Sequence, residues 1–315
     1  MASNGIPQGW SDEDVADLLF WIFGGSRDGY MAVISAFFDE TGRHKDQDAS
    51  EPFGVAGCVF TRRNATKFAK RWKPLWAKWG GCHMREMPGW GKNGAYAEMT
   101  RDEHIHVMDQ AVGILLDTVS FACYSSCYRQ DIEQYELVDF GPNGMDRKDE
   151  MAHLFCCRVA ADSIVKWIKS NGPSDKVRYI FESGGPGNAQ ITEWIEAIRD
   201  PVNGFDHWKY ASHGFEDKEG CLWLQASDFI AWEFQKYALE TYEKPHGRPA
   251  RKSFERLSQV MGKRLDFIRT KRDVLYRGFN LYRGNPTDFF FASLSYDGPV
   301  RGHQFPSSEP EESAP

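Results

Sequence analysis

Two stretches, residues 31–38 (MAVISAFF) and 53–60 (FGVAGCVF), hold no charged side chain and are interrupted only by one serine and two glycines. A strand with one wet face alternates polar and apolar positions, whereas a continuous apolar run needs cover on both faces. The two stretches therefore read as neighbouring buried strands, and whatever covers them has to come from elsewhere in the chain.

Helical periodicity supplies that cover. Residues 64–79 place Phe68, Trp72, Leu75, Trp76 and Trp79 on one side with lysines and arginines between them, the pattern of an amphipathic basic helix. Residues 100–116 open on a cap and an acidic turn and carry apolar residues at 105, 108, 112 and 115. A strand at 118–124 follows. A long helix is expected over 150–168, closed by Asn171-Gly172-Pro173. Residues 177–181 make another strand, a glycine turn at 184–187 leads into a helix ending near 198, and 222–242 is a last strong helix. Strands alternating with helices imply an α/β domain over 31–245, a mixed central sheet flanked by helices. Residues 1–30 read as an extension with a short helix at 12–23. Residues 246–306 read as a basic, helical C-terminal extension packed on the domain, and 307–315 as a disordered acidic tail.

Charge and cysteine usage narrow the function classes. The 315-residue chain has a formal net charge of −7, so it is no polycation that coats nucleic acid indiscriminately. Any polyanion must be met locally. Residues 243–273 supply the strongest patch, ten cations against four acids, with Arg248, Arg251, Lys252 and Arg256 as candidate nucleic-acid contacts, although subunit pairing in a homo-oligomer could use the same charge. The cations of 62–73 have two readings: a face for phosphates with rings for stacking, or a solvated face over a tryptophan-rich core. Seven cysteines form no C-x-x-C pair, which points to buried thiols in a reducing cytoplasm and away from zinc. The apolar run at 18–23 is too short to span a membrane and follows acids, so no membrane partner is expected.

The chemistry is sought among the acids. Asp39-Glu40 stands where one apolar strand stops, and Glu182 where another does; in open α/β sheets ligands gather at that edge. Asp228 lies inside a helix apolar almost all round, where a carboxylate is costly to bury without a cation. Convergence of the three on a divalent ion is one reading, and oxygen-only ligands favour Mg²⁺ or Mn²⁺. The other is that Asp228 pairs with a buried arginine or caps a turn, and that the rest are ordinary loop acids.

At these residues a resemblance enters. Asp39-Glu40-Thr41-Gly42, Cys82-His83-Met84-Arg85-Glu86, Tyr179-Ile180-Phe181-Glu182-Ser183-Gly184, the segment from Leu224-Gln225-Ala226-Ser227-Asp228 to Glu233, and Arg251-Lys252-Ser253 together resemble, in content and order, the domain-of-unknown-function 3800 family. The resemblance implies a ribonuclease H-like fold and a metal-dependent nuclease. It assigns Asp39, Glu182 and Asp228 to the metal, adds His83 as a catalytic residue, and leaves Glu40 and Glu86 as further candidates. Thr41 replaces the family's usual serine, and Glu86 stands where relatives often carry an aspartate one residue closer to the histidine. Two ions about 3.5 to 4 Å apart, bridged by Asp39, would activate water and steady the leaving oxygen of a phosphodiester. His83 would serve as base or proton shuttle, or is a structural histidine. The alternatives are a catalytically idle nucleic-acid- or partner-binding module on the same fold, and a hydrolase of a small phosphorylated molecule. The nuclease reading requires Asp39, Glu182 and Asp228 to meet in a solvent-reachable opening and not to be neutralised one by one.

Overall fold

The computed structural model describes residues 33–41, 52–87, 95–128, 144–171, 176–185, 187–199, 208–239 and 251–269. Its elements run β1 (Val33–Thr41), β2 (Pro52–Phe60), α1 (Arg62–Trp76), α2 (Arg101–Thr118), β3 (Phe121–Tyr128), α3 (Gly144–Asn171), β4 (Lys176–Glu182), α4 (Asn188–Arg199), β5 (Tyr210–Glu216), α5 (Leu222–Ala238), α6 (Lys252–Met261) and β6 (Leu265–Arg269). The six strands form one sheet in the order β5-β4-β1-β2-β3-β6. β2 is antiparallel to β1 and β3, and the β1/β4, β4/β5 and β3/β6 pairs are parallel. Only β2 is reversed. This is a mixed, layered α/β sheet flanked by helices, as the sequence implies.

The apolar runs are explained by position. β1 and β2 lie in mid-sheet, and both faces of each are covered. Ile34, Ala36 and Phe38 pack with α3 and α4 residues such as Ile164 and Trp194. Phe37, Ala56 and Cys58 face the other way, into a core with Trp72, Trp76, Leu224 and Phe229 from α1 and α5. Strand alternation thus sorts the chain into two cores on either side of one sheet.

Several sequence expectations shift. β1 continues through Asp39 and Glu40 to Thr41, so these acids are the last residues of the strand and inherit its alternation. β3 begins at Phe121, because Thr118 still ends α2 with its hydroxyl donating to the Ile114 carbonyl at 2.6 Å. β5 and β6 lie where no strand was expected: every residue of β5 is half-buried except exposed Glu216, which hides the alternation, and β6 follows a cation-rich helix. α5 spans Leu222–Ala238, and the last three residues of the expected helix, 240–242, lie outside the described residues. On α1, Phe68, Trp72 and Trp76 are buried and Arg62, Arg63, Lys67, Lys70 and Lys73 exposed, so the cations form an exposed face over a tryptophan-containing core and the Trp72 and Trp76 rings are not available for stacking. The helix at 12–23, the tail at 307–315 and Arg248 lie outside the described residues. All seven cysteines are buried, and none is in a disulfide.

Two local features generate tests. The first turn of α2 is closed by a capping box: Thr100 Oγ1 accepts from the Glu103 N–H at 3.2 Å, and Glu103 Oε2 accepts from the Thr100 N–H at 2.9 Å. Thr100→Ala should cost about 1 kcal/mol in urea unfolding at neutral pH. Lys78, followed by the Thr100 backbone and hydroxyl, holds the Glu103 carboxyl down at about 2 against an ordinary 4.5. A depressed carboxylate stabilises above its unfolded value, and the benefit fades as pH falls through the folded one, so the Thr100→Ala penalty should shrink between pH 4.5 and 2. Gly54 on β2 is required by close approach, since a Cβ there would lie 2.5 Å from Cζ of buried Tyr124. Gly54→Ala should therefore destabilise by about 1–3 kcal/mol on the same measurement.

Candidate metal centre

Alternation decides which acids can meet. Phe37 of β1 and Ile180 of β4 face the α5 side, and the parallel register pairs Phe38 with Phe181. One step on, Asp39 and Glu182 are neighbours on that same face at the strand ends. α5 lies across this face, anchored by the Ser227 hydroxyl donating to the Phe37 carbonyl at 2.8 Å. The next residue is Asp228. Its Oδ2 accepts from the Met84 N–H at 3.0 Å, which fixes the carboxylate from the loop after α1.

The three acids converge on one cation that the sequence did not announce. Lys218 Nζ lies 2.9 Å from Asp39 Oδ2, 3.2 Å from Glu182 Oε1 and 3.6 Å from Asp228 Oδ1. Asp39 is wholly buried at its side chain, whereas Glu182, Lys218 and Asp228 keep 21%, 18% and 11% of theirs exposed, so the cluster opens to solvent on one side. The acids are not neutralised one by one; a single ammonium serves three carboxylates. Burial alone would push Lys218 down, but Asp39, Asp228 and Glu182 together hold it above its ordinary value, so it is charged. Burial raises the Asp39 carboxyl well above the usual range, Lys218 opposes this, and Asp228 and Glu182 add to it.

Lys218 is placed by the tight turn between β5 and α5. The Cys221 N–H donates to the Asp217 carbonyl at 2.8 Å, and the Glu219 N–H to Asp217 Oδ1 at 3.2 Å. Gln225 on α5 pins the turn: its Nε2 donates to the Lys218 carbonyl at 3.0 Å. Its Oε1 accepts from Trp72 Nε1 at 3.0 Å and from the Cys82 N–H at 3.2 Å. Gln225 and Asp228, three apart on one helix face, thus tie the lysine turn and the loop at 82–84 to the same place.

Glu40 leaves β1 on the opposite face, where its Oε2 lies 3.7 Å from His153 Nε2 of α3, both side chains buried. At the strand end one oxygen each of Asp39, Glu40 and Glu182 still come within 4.8 Å of one another, a set able to hold a metal ion. The donor set is all oxygen, and buried Asp39 Oδ1 is met by no N–H or hydroxyl donor, so the residues fit a hard divalent cation.

The remaining candidates sit as follows. His83 is half-buried in the loop that holds Asp228, and its N–H donates to the Tyr96 hydroxyl at 2.7 Å. Glu86 is exposed and its Oε2 accepts from the Ala95 N–H at 3.3 Å, a bond within the loop. Arg251 spans buried Glu233 at 3.1 Å and the Trp232 ring at 3.8 Å, a contact that ties the start of α6 to α5. Lys252 and Arg256 are exposed, Arg256 facing Asp109 at 3.9 Å. The glycine turn after β4 carries Gly184 at φ +78°, and Gly187 lies where a Cβ would be 2.9 Å from His153 Nδ1, so close packing on α3 accounts for it.

No family model matches the chain, and neither does any curated protein. Membership of the domain-of-unknown-function 3800 family is not supported. Among solved structures, ribonuclease H2 from Pyrococcus horikoshii OT3 aligns with a TM-score of 0.34 and 12% identity, over 73% of this chain and 88% of that one. Among the described residues no helix is long and apolar enough to cross a membrane.

Gln225→Leu removes one acceptor from two buried donors, the Trp72 indole and the Cys82 amide. Each orphaned group costs about 1–3 kcal/mol, so the variant should lose at least about 2 kcal/mol of unfolding free energy by urea titration.

Proposed function

We propose that the chain is a divalent-metal-dependent nuclease or related phosphodiesterase, with Mg²⁺ or Mn²⁺ as its ion. One observation carries the reading. Residues 39, 182 and 228, spread over nearly two hundred positions, bring their carboxylates to one ammonium at 2.9 to 3.6 Å in a cluster open to solvent. A structural ion pair needs one acid; gathering three, with a fourth in reach, only builds up repulsion unless more positive charge is to be bound.

Asp39, Glu40 and Glu182 would hold the ion, and Asp228 would complete the negative field around it. When bound, the ion supplies Lewis acidity and a water of lowered pKa at the strand ends. The chain's own residues do the rest. The Met84 N–H keeps Asp228 turned into the cluster, the Gln225 amide keeps the Lys218 turn in place, and Lys218 gives a phosphate a positive group to approach. His83 is assigned the movement of a proton, from the loop that orients Asp228. The exposed cations Lys252 and Arg256 would add phosphate contacts.

A panel of single- and double-stranded DNA and RNA, incubated with Mn²⁺ or Mg²⁺, tests this reading. Wild type should cleave at least one substrate, chelation by EDTA should stop it, and Asp228→Asn should reduce the rate by about 10- to 100-fold with folding retained. Salt-sensitive binding without metal-dependent cleavage would instead establish the idle binding module.

A further inference from the structure

A site for two shared ions needs two sets of oxygens, and the chain has already committed one set to itself. Lys218 Nζ takes Asp39 Oδ2, Glu182 Oε1 and Asp228 Oδ1. What remains is Asp39 Oδ1, buried and met by no N–H or hydroxyl donor, together with Glu40, and one oxygen each of Asp39, Glu40 and Glu182 lie within 4.8 Å of one another. Among the described residues, Asp39, Glu40 and Glu182 form the single group of ligand atoms close enough to share an ion, and Asp228 stands outside it. Asp228 is therefore oriented toward the ammonium rather than toward that group.

We propose that the centre is a one-metal site in which the ammonium of Lys218 permanently occupies the second cation position, bridged to the ion by the carboxylates of Asp39 and Glu182. The inference rests on the metal-centre reading above and replaces its two ions with one. Charge points the same way: four carboxylates, Asp39, Glu40, Glu182 and Asp228, gather at this end of the sheet, and an ammonium with one divalent ion offsets more of that charge than the ammonium alone. Glu40 also lies 3.7 Å from His153 Nε2 on the opposite face. The lysine is also held as a fixed part. Its carbonyl is bonded by Gln225 from the helix that carries Asp228, and its turn is closed by the Asp217 carbonyl and side chain.

Counting bound Mn²⁺ by electron paramagnetic resonance, on metal-stripped full-length protein back-titrated with Mn²⁺, tests the proposal without any substrate. Wild type should bind one ion per chain, and Lys218→Met, with the second position vacated, should bind two. Two ions in wild type, or one in the variant, would overturn the proposal and leave the metal centre standing. No ion in either protein would overturn the metal centre and the proposal together. Should Lys218→Met fail to fold, wild type alone decides through ¹⁵N-lysine NMR with Mg²⁺. A slowly exchanging Lys218 ammonium signal that survives loading supports the assignment, and its loss on loading refutes it.

Discussion

Burying a carboxylate at the end of a central strand is the constraint from which the rest of this site follows. Asp39 has no side-chain exposure, and its energy depends on whatever positive charge the surroundings supply. An ammonium at 2.9 Å supplies part of it, about 5 to 6 kcal/mol of attraction at an effective dielectric near 20. Asp228 and Glu182 draw on the same ammonium while repelling Asp39, so the cluster as a whole stays short of positive charge. The turn that delivers Lys218, the amide that fixes Asp228 and the glutamine that ties the two together are all consequences of having to hold these charges still.

The sheet sets the direction of each acid. Because β1 and β4 are parallel and in register through Phe38 and Phe181, the next residue of each strand points to the same face, and the helix covering that face is the one bearing Asp228. A one-residue slip would turn Asp39 into the α3 core and bring Glu40 to α5. The apolar residues at 34, 36 and 38 forbid that slip, since they pack on α3 while Phe37 packs under α5. Core packing and site geometry are therefore specified by the same alternation.

That coupling explains what could be read from the chain. The central strands were legible because burial on both faces leaves no polar residue to confuse the pattern, and Asp39, Glu182 and Asp228 stood out as carboxylates where apolar runs end or should not be broken. β5 was not legible, since its YASHGFE sequence is half-buried almost throughout and shows neither a continuous run nor an alternation. Lys218 was hidden for a different reason. It sits in Glu216-Asp217-Lys218-Glu219-Gly220, a charged turn indistinguishable in sequence from a solvated loop, and only the fold shows its ammonium turned inward. One signal was available: Gln225, a buried amide three residues before Asp228 on an apolar helix, needs polar partners, and one of them is the carbonyl of Lys218. The contacts of Arg251 were hidden in the same way, because a cation in a basic stretch gives no sign in sequence of the Glu233 carboxylate and Trp232 ring against it.

The same electrostatics separate the two faces of the strand end. Glu40 emerges among α3 residues and meets His153, a group that can share a proton, whereas Asp39 emerges under α5 and meets a fixed ammonium. The Glu40 contact is to an imidazole, whereas Asp39 stands 2.9 Å from an ammonium that three carboxylates keep charged. Neighbouring residues of one strand thus send one carboxylate to each face of the sheet, and the one under α5 is the one that meets Lys218. Both side chains still start from the same strand end, and that is why one oxygen each of Asp39, Glu40 and Glu182 can lie within 4.8 Å of one another although the first two leave β1 on opposite faces.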